Sequence, residues 1–316
     1  MLSVIITAFD ENDCKIVECV SSLSRFSGCK QIILVNDNPL RTLSKIKFEK
    51  HVNIKLYEDK TNRGVSGARN LGLQLATEKY VMFVDADDKV YAIDQNEFDL
   101  KSIKEEVDVI YFNYVISDEK TDISVNLTSD KEKLNSSSDA ILFDYFKNCH
   151  STSFFPHVWA KIYKTSFIKK NKLFFKEELI QYEDIDWLFE VLVKCNYLLG
   201  IPITVYKKNG FSTSKRQSER MLSAGLSFIS IFSRIPKIKP ELKILENNVG
   251  SSISLFFIKR LGALRKNSFI TEQKFNKFLK MGLKTEVIKN SIFSINIKDK
   301  ELKSIVEKEF KALKTE

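Results

Sequence analysis

Glycine and proline are scarce in this chain, 10 and 5 in 316 residues, which sets aside collagen-like, low-complexity and disordered architectures. Cysteine is thin as well. Cys14, Cys19, Cys29, Cys149 and Cys195 form no Cys-x-x-Cys pair and are odd in number, so neither a structural zinc nor a complete disulfide framework is expected, and a reducing cytoplasm is the simplest home. No run approaches the ~18 apolar residues that span a bilayer. The opening Leu2–Ala8 is broken by Ser3 and Thr7 and reads as a strand, not as a leader. No internal repeat is apparent. What remains is a chain with 43% hydrophobic residues, enough for one α/β domain with a large core and a helical extension.

The most informative stretch is Lys79-Tyr80-Val81-Met82-Phe83-Val84-Asp85-Ala86-Asp87-Asp88, an apolar run that ends in three carboxylates. Such a run reads as a strand buried on both faces, with the acids at its carboxyl end. That is where open α/β sheets bind ligands. Clustered carboxylates repel one another unless a positive group sits among them, and a hard divalent cation bound with a diphosphate is the natural partner. The simpler account is a solvated acidic turn. Two more strands of the same kind, Leu2–Ala8 running into Phe9-Asp10-Glu11 and Gln31–Val35 running into Asn36-Asp37-Asn38, deliver acids or amides at the same end. This is the βαβ rhythm of a parallel sheet with one functional edge. Asn62-Arg63-Gly64-Val65-Ser66-Gly67-Ala68-Arg69-Asn70-Leu71-Gly72 lies just ahead of the acid-bearing strand; its glycines permit close backbone approach and its arginines can meet phosphate.

Together these segments, with Val158-Trp159-Ala160-Lys161-Ile162-Tyr163 and Tyr182-Glu183-Asp184-Ile185-Asp186-Trp187 further on, resemble the bacterial family 2 inverting glycosyltransferases. The resemblance covers roughly the first two-thirds of the chain. It implies a GT-A fold, a Rossmann-like and mostly parallel central sheet flanked by helices, and transfer of a sugar from a nucleotide-sugar donor to a hydroxyl of a glycan or lipid-linked saccharide, as in bacterial surface polysaccharide synthesis. Thr7, Phe9 and Asn38 depart from the Pro, Tyr and Gly common in the family, which leaves the shape of the Asn36–Pro39 loop open.

The resemblance also implies roles for single residues. Asp37 is placed at the nucleobase, which favours UDP, with Phe9 beside the base, and Thr7, Ala8, Glu11 and Asn62 are counted among the donor-binding residues. Gly67, Arg69, Asp85, Ala86 and Lys208 are placed on the donor side of the cleft. Asp87 is the first choice as ligand of Mn²⁺ or Mg²⁺, with Asp85 and Asp88 beside it. Inversion needs a base opposite the departing diphosphate; Asp184 is assigned that part and Glu183 is held in reserve. Both acids would also cap the helix that follows them. Trp159 and Tyr182 are placed at the acceptor, although core packing is an equal account for a tryptophan and is favoured for Trp187. His157 is read first as a structural histidine and second as a phosphate or metal contact. Lys207–Lys215 is read either as a loop closing over the diphosphate or as a solvated basic loop.

Charge marks a boundary. From Pro236 to Glu316 the chain carries 18 basic and 9 acidic side chains, an excess of +9 that equals the net charge of the whole. The catalytic domain is therefore set at 1–220 and a basic, mainly helical region at 221–316. Its helical segments Phe275–Lys284 and Leu302–Phe310 carry a basic face. That face is either an ordinary solvated surface or one that meets an anionic membrane, placing the enzyme at the inner face of the cell membrane. Nucleic acid is not an expected partner, and the oligomeric state is left open. Two other functions compete. A haloacid-dehalogenase-type phosphohydrolase also ends a strand in Asp-x-Asp, but near its amino terminus, and a non-catalytic scaffold would keep the fold without the chemistry.

Overall fold

The computed structural model describes residues 1–26, 28–48, 53–93, 98–117, 121–127, 157–179 and 183–209, then 254, 257–259, 261–263, 265–266, 271–284, 288–289 and 296–315. Two compact units result: one holds the described residues from Met1 to Asn209, the other those from Ser254 onward. The boundary expected near residue 220 lies outside the described residues.

In the first unit, strands β1 (Leu2–Ala8), β2 (Cys29–Asn36), β3 (Ile54–Glu58) and β4 (Tyr80–Asp85) are joined by helices α1 (Asp13–Leu23) and α2 (Gly64–Leu75). They form the parallel half of a nine-stranded sheet ordered β3-β2-β1-β4-β8-β6-β9-β5. β1 and β4 are buried along nearly their whole length, as expected for central parallel strands covered on both faces. The parallel register sets Thr7 beside both Val35 and Asp85, and Ala8 beside Asn36. The carboxyl ends of β1, β2 and β4 therefore lie side by side.

Helix α1 begins where Asn12 Oδ1 accepts from the Lys15 amide at 2.8 Å, a side-chain cap on an otherwise orphan donor. It buries Ile16, Cys19, Val20 and Leu23. Helix α2 lies close over β1 at Gly72, where a β-carbon would stand 2.3 Å from Ile5 Cγ2. Any larger residue there would lift the helix away.

The other half of the sheet is mixed. β8 (Lys161–Lys164) runs antiparallel to both β4 and β6 (Val109–Ser117), and β6 is parallel to β9 (Leu198–Asn209). β7 (Asp122–Val125) extends β6. The register of β9 against β6 shifts around Phe112 to Tyr114. Its far end then pairs with the two-residue β5 (Lys89–Val90), Val90 opposite Tyr206 and Lys89 opposite Lys207. That pairing lays Tyr206–Asn209 beside the acids that follow β4. Lys207 and Lys208 thus belong to a strand and not to a loop; Ser212 and Lys215 lie outside the described residues.

Helices α3 (Thr165–Lys170) and α4 (Glu183–Lys194) complete this unit. Trp187 of α4 stacks on Phe175 at 4.7 Å, meets Phe83 edge-on at 5.4 Å, and donates from Nε1 to the Leu173 carbonyl at 3.1 Å. It is a core residue, its polar tip satisfied.

In the second unit, α5 (Glu272–Leu283) is capped by Thr271 and buries Phe275, Leu279, Gly282 and Leu283. α6 (Lys300–Thr315) buries Leu302, Val306 and Phe310. Both segments are helical, as their spacing predicts. Among the described residues no helix is long and apolar enough to cross a membrane.

Candidate active site

At the ends of β1 and β2, the Asp37 amide donates to the Ala8 carbonyl at 2.9 Å, and its carboxylate Oδ1 accepts from the Arg63 amide at 3.0 Å. Asp37 is buried. Burial pushes its pKa up, and Asp59 adds to this, against the Arg63 and Gly64 amides that favour the ionised form. Asn62 Oδ1 accepts from the Gly64 amide at 3.0 Å, so this turn is set from both sides at the start of α2. Gly67 is buried in the first turns of that helix.

Phe9, just after β1, is 38% exposed. Its amide donates to Glu11 Oε2 at 2.6 Å, and its carbonyl accepts from Asn38 Nδ2 at 3.2 Å. Asn38 also donates to Asp10 Oδ1 at 2.9 Å and accepts from the Leu40 amide at 3.0 Å. The residue that departs from the family glycine therefore ties the two strand-end loops together. Arg41 adds a second tie that the sequence reading missed, donating to the Glu11 carbonyl and to Asp13 Oδ1.

The three acids after β4 divide sharply. Asp88 is fully buried. Its Oδ2 accepts from the Tyr206 hydroxyl at 2.6 Å and from Lys208 Nζ at 3.0 Å, while Oδ1 accepts from the Asn209 amide at 2.8 Å. Burial and the nearby Asp85 charge raise its pKa to about 7, against Lys208, Tyr206 and Asn209. Asp85 is partly exposed and grips Arg69 with Oδ1 and Lys208 with Oδ2, each at 3.3 Å. Burial would raise its pKa, but the Lys208 and Arg69 charges overcome this and hold it below the ordinary value. Asp87 is the most open of the three, its side chain 31% exposed and Oδ1 3.8 Å from Lys208 Nζ. Ala86 between them is buried in the core.

Arg69 is a buried cation between two elements. It lies over the Phe175 ring at 5.3 Å and pairs with Asp85 of β4 and with Glu183 of α4, the latter at 3.0 Å. Its guanidinium holds carboxylates from both. Asp184, partly buried beside Glu183, accepts from the Ile185 amide at 2.9 Å. Burial first, then the Glu183 charge, raise its pKa to about 8, opposed by Arg69 and the Ile185 amide. A carboxyl with its pKa lifted toward neutrality is suited to move a proton.

The aromatic residues near the site are packed among themselves. Trp159 is covered on its faces by His157 at 4.1 Å and Tyr206 at 4.6 Å, and meets Tyr114 edge-on at 4.8 Å. Trp159 is buried with its faces covered, which favours the packing account over stacking on a sugar ring. His157 belongs to the same stack, its pKa driven down to about 3 by burial and by Lys161. Its carbonyl accepts from buried Lys161 Nζ at 2.9 Å. Burial lowers the Lys161 pKa to about 7, against the charge of Asp184. Tyr182 lies outside the described residues.

No three His, Cys, Asp or Glu side chains converge as a complete metal-ligand set among the described residues. A cation that shares its coordination with a diphosphate and water needs only one or two carboxylates, and the open Asp87, with Asp85 beside it, meets that requirement. Asp88 is fully buried with both oxygens engaged, whereas Asp85, though paired with Arg69 and Lys208, keeps a partly exposed side chain.

A parallel β3-β2-β1-β4 half continued by mixed strands, with an acidic cluster at the end of β4, is the arrangement of a GT-A fold. The family model for Glycosyl transferase family 2 matches residues 3–170, and the chain belongs to that family. It is 26% identical over 260 residues to the uncharacterized glycosyltransferase YibD of Escherichia coli, covering 81% of this chain and 74% of that one. It is 25% identical over 231 residues to the poly(ribitol-phosphate) beta-N-acetylglucosaminyltransferase TarS of Staphylococcus aureus, covering 71% of this chain but 37% of TarS. The structure of TarS 1-349 in complex with UDP-GlcNAc superposes with a TM-score of 0.67 at 19% identity, over 98% of this chain and 91% of that one; at such identity the likeness speaks for the fold. The family assignment removes the phosphohydrolase alternative, and the chain is a glycosyltransferase.

Proposed function

We propose that the enzyme inverts the anomeric centre of a UDP-sugar while transferring the sugar to a hydroxyl of a glycan or lipid-linked saccharide. The observation that carries this reading is the placement of Asp184 and Glu183 within charge range of the Asp85–Arg69 pair. A proton acceptor and a donor-side carboxylate cluster thus share one site. In this mechanism the Asp184 carboxylate takes the proton of the acceptor hydroxyl. The hydroxyl oxygen bonds to the anomeric carbon as the bond from that carbon to the diphosphate oxygen breaks, and the electron pair leaves with UDP. Asp37 accepts from the uracil imide, and exposed Phe9 lies along the base. Asp87, with Asp85, would hold Mn²⁺ or Mg²⁺, which supplies charge stabilisation to the departing diphosphate. Lys208 supports the same charge from the protein side.

TarS, named as a poly(ribitol-phosphate) beta-N-acetylglucosaminyltransferase, and GgaB of Bacillus subtilis, named for minor teichoic acid biosynthesis, support an anionic polymer or its lipid-linked precursor as acceptor. The basic excess beyond residue 235 supports work against an anionic membrane at its cytoplasmic face.

The test is nucleoside diphosphate release from a panel of UDP-, GDP- and TDP-sugars by the purified chain, with and without Mn²⁺, and anomer assignment of the product by NMR. Release of UDP with an inverted linkage is expected. Retention of configuration, or turnover only of GDP- or TDP-sugars, would overturn the corresponding part of the reading.

A further inference from the structure

Lys208 stands at the centre of the carboxylate cluster. Its Nζ is 3.0 Å from Asp88 Oδ2, 3.3 Å from Asp85 Oδ2 and 3.8 Å from Asp87 Oδ1, so one ammonium reaches all three acids. Its backbone is pinned immediately beyond, where the Asn209 amide donates to Asp88 Oδ1 at 2.8 Å and Asn209 Nδ2 donates to the Asp87 carbonyl at 2.6 Å. The strand end is therefore fixed to the Asp87-Asp88 turn. The side chain, 20% exposed, keeps access to solvent and has four rotatable bonds. Lys207 cannot stand in for it: alternation along β9 sends Lys207 to Asp122 at 3.2 Å.

We infer that Lys208 is a built-in counter-ion which occupies the cation position beside Asp87 in the donor-free enzyme, so that a divalent metal enters together with the diphosphate and not before it. This rests on the donor-site reading above. With Lys208 and Arg69 already neutralising Asp85, a second cation arriving alone meets a positive charge a few ångströms from the open Asp87 carboxylate. A diphosphate reverses that balance. Its oxygens offer Lys208 Nζ a new set of acceptors on the solvent side, and the ammonium can move from the carboxylates to the phosphate while the backbone stays in place. The carboxylate face of Asp87 is then opened at the moment when the remaining ligands arrive with the donor. Metal and donor would bind with positive coupling, each raising the affinity for the other by the same factor.

The experiment is calorimetric titration of Mn²⁺ into the full chain, without nucleotide and with saturating UDP, for the wild type, Lys208→Met and Lys208→Gln. The glutamine variant retains a hydrogen-bond donor for buried Asp88, and thermal melts check that each variant is folded. In the wild type, Mn²⁺ should bind at least about tenfold more weakly without UDP than with it. Removing the charge should tighten UDP-free Mn²⁺ binding by on the order of tenfold and shrink the dependence on UDP in both variants. Equal UDP-free Mn²⁺ affinity in wild type and a folded variant would overturn the counter-ion role. If UDP does not bind the wild type at any Mn²⁺ concentration, the donor site itself is misread and the inference falls with it.

Discussion

Arg69 of α2 donates to Glu183 of α4 at 3.0 Å across 114 residues of chain, and the same guanidinium reaches Asp85 of β4 at 3.3 Å. The strand that carries the acidic cluster and the helix that carries the base candidate are thus held by one buried cation. Removing a single partner from a buried ion pair leaves charges without compensation and typically costs about 3–5 kcal/mol. Arg69→Met should therefore lower unfolding stability by about that amount in urea titrations at neutral pH. Arg69→Lys, which cannot grip two carboxylates in a planar fork, should be milder in stability yet still slow transfer. Unchanged stability in Arg69→Met would mean that the pair contributes little.

A second linkage runs through Tyr206, which donates to Asp88 at 2.6 Å and accepts from the Asp85 amide at 3.1 Å. It fixes the turn between the two acids. Tyr206→Phe keeps the ring stacked on Trp159 and removes only the oxygen, leaving buried Asp88 one donor short. A cost of about 1–3 kcal/mol is expected, together with weaker metal-dependent UDP binding because Asp87 sits in the loosened turn. Calorimetry with UDP and Mn²⁺ checks the second part; unaltered binding would show that the turn holds its shape without the hydroxyl.

These partners explain which parts of the site were legible in the sequence. β1, β2 and β4 were readable because central parallel strands give unbroken apolar runs, and the acids that end them sit where the runs stop. Asp37 and Asp87 followed directly. The resemblance implies a donor-side place for Arg69, but its pairing with Glu183 joins segments 114 residues apart and leaves no local mark. Lys207–Lys215 reads as a loop in the sequence; the strand character of Lys208 comes from pairing with β6, where it lies opposite Ile116, a partner far back in the chain that leaves no local mark. Trp159 shows a different limit. The resemblance implies an aromatic ring near the acceptor, but only packing tells whether its faces are covered, and here His157 and Tyr206 cover them.

The base assignment makes a pH prediction with a definite sign. The Asp184 pKa is raised to about 8, and the base must be ionised, so kcat should climb with pH and level off above about 8. Stability runs the other way. A carboxyl whose folded pKa lies above its unfolded value contributes stability that is fully present below the ordinary carboxylate pKa and is lost as pH rises through about 8. Asp184→Asn carries no such charge and should lose less stability than the wild type over that interval. The same variant should reduce kcat by 10²–10⁴-fold, the usual contribution of a general base, while calorimetric UDP affinity stays within a few-fold. Near-normal turnover with a lowered melting point would make Asp184 a helix-start residue and bring Glu183 forward as the base to test.

Asp37 poses a choice between two roles that one substitution can separate. Its Oδ1 already accepts from the Arg63 amide at 3.0 Å, which stabilises the start of α2 whatever the nucleotide. The proposed role at the uracil imide asks for a second acceptor. Asn can keep a carbonyl oxygen toward Arg63, but it then turns an amide N–H₂ toward the imide N–H, donor against donor. Asp37→Asn should thus leave thermal stability within about 1 kcal/mol of wild type while weakening UDP binding by ten- to a hundredfold, the size of a lost charge-assisted hydrogen bond of about 1.5–3 kcal/mol. Asp37→Ala should lose both stability and binding. Calorimetry of UDP and GDP against the wild type completes the test: tighter binding of GDP would sink the uracil assignment and leave Asp37 as the residue that orders the entry to α2.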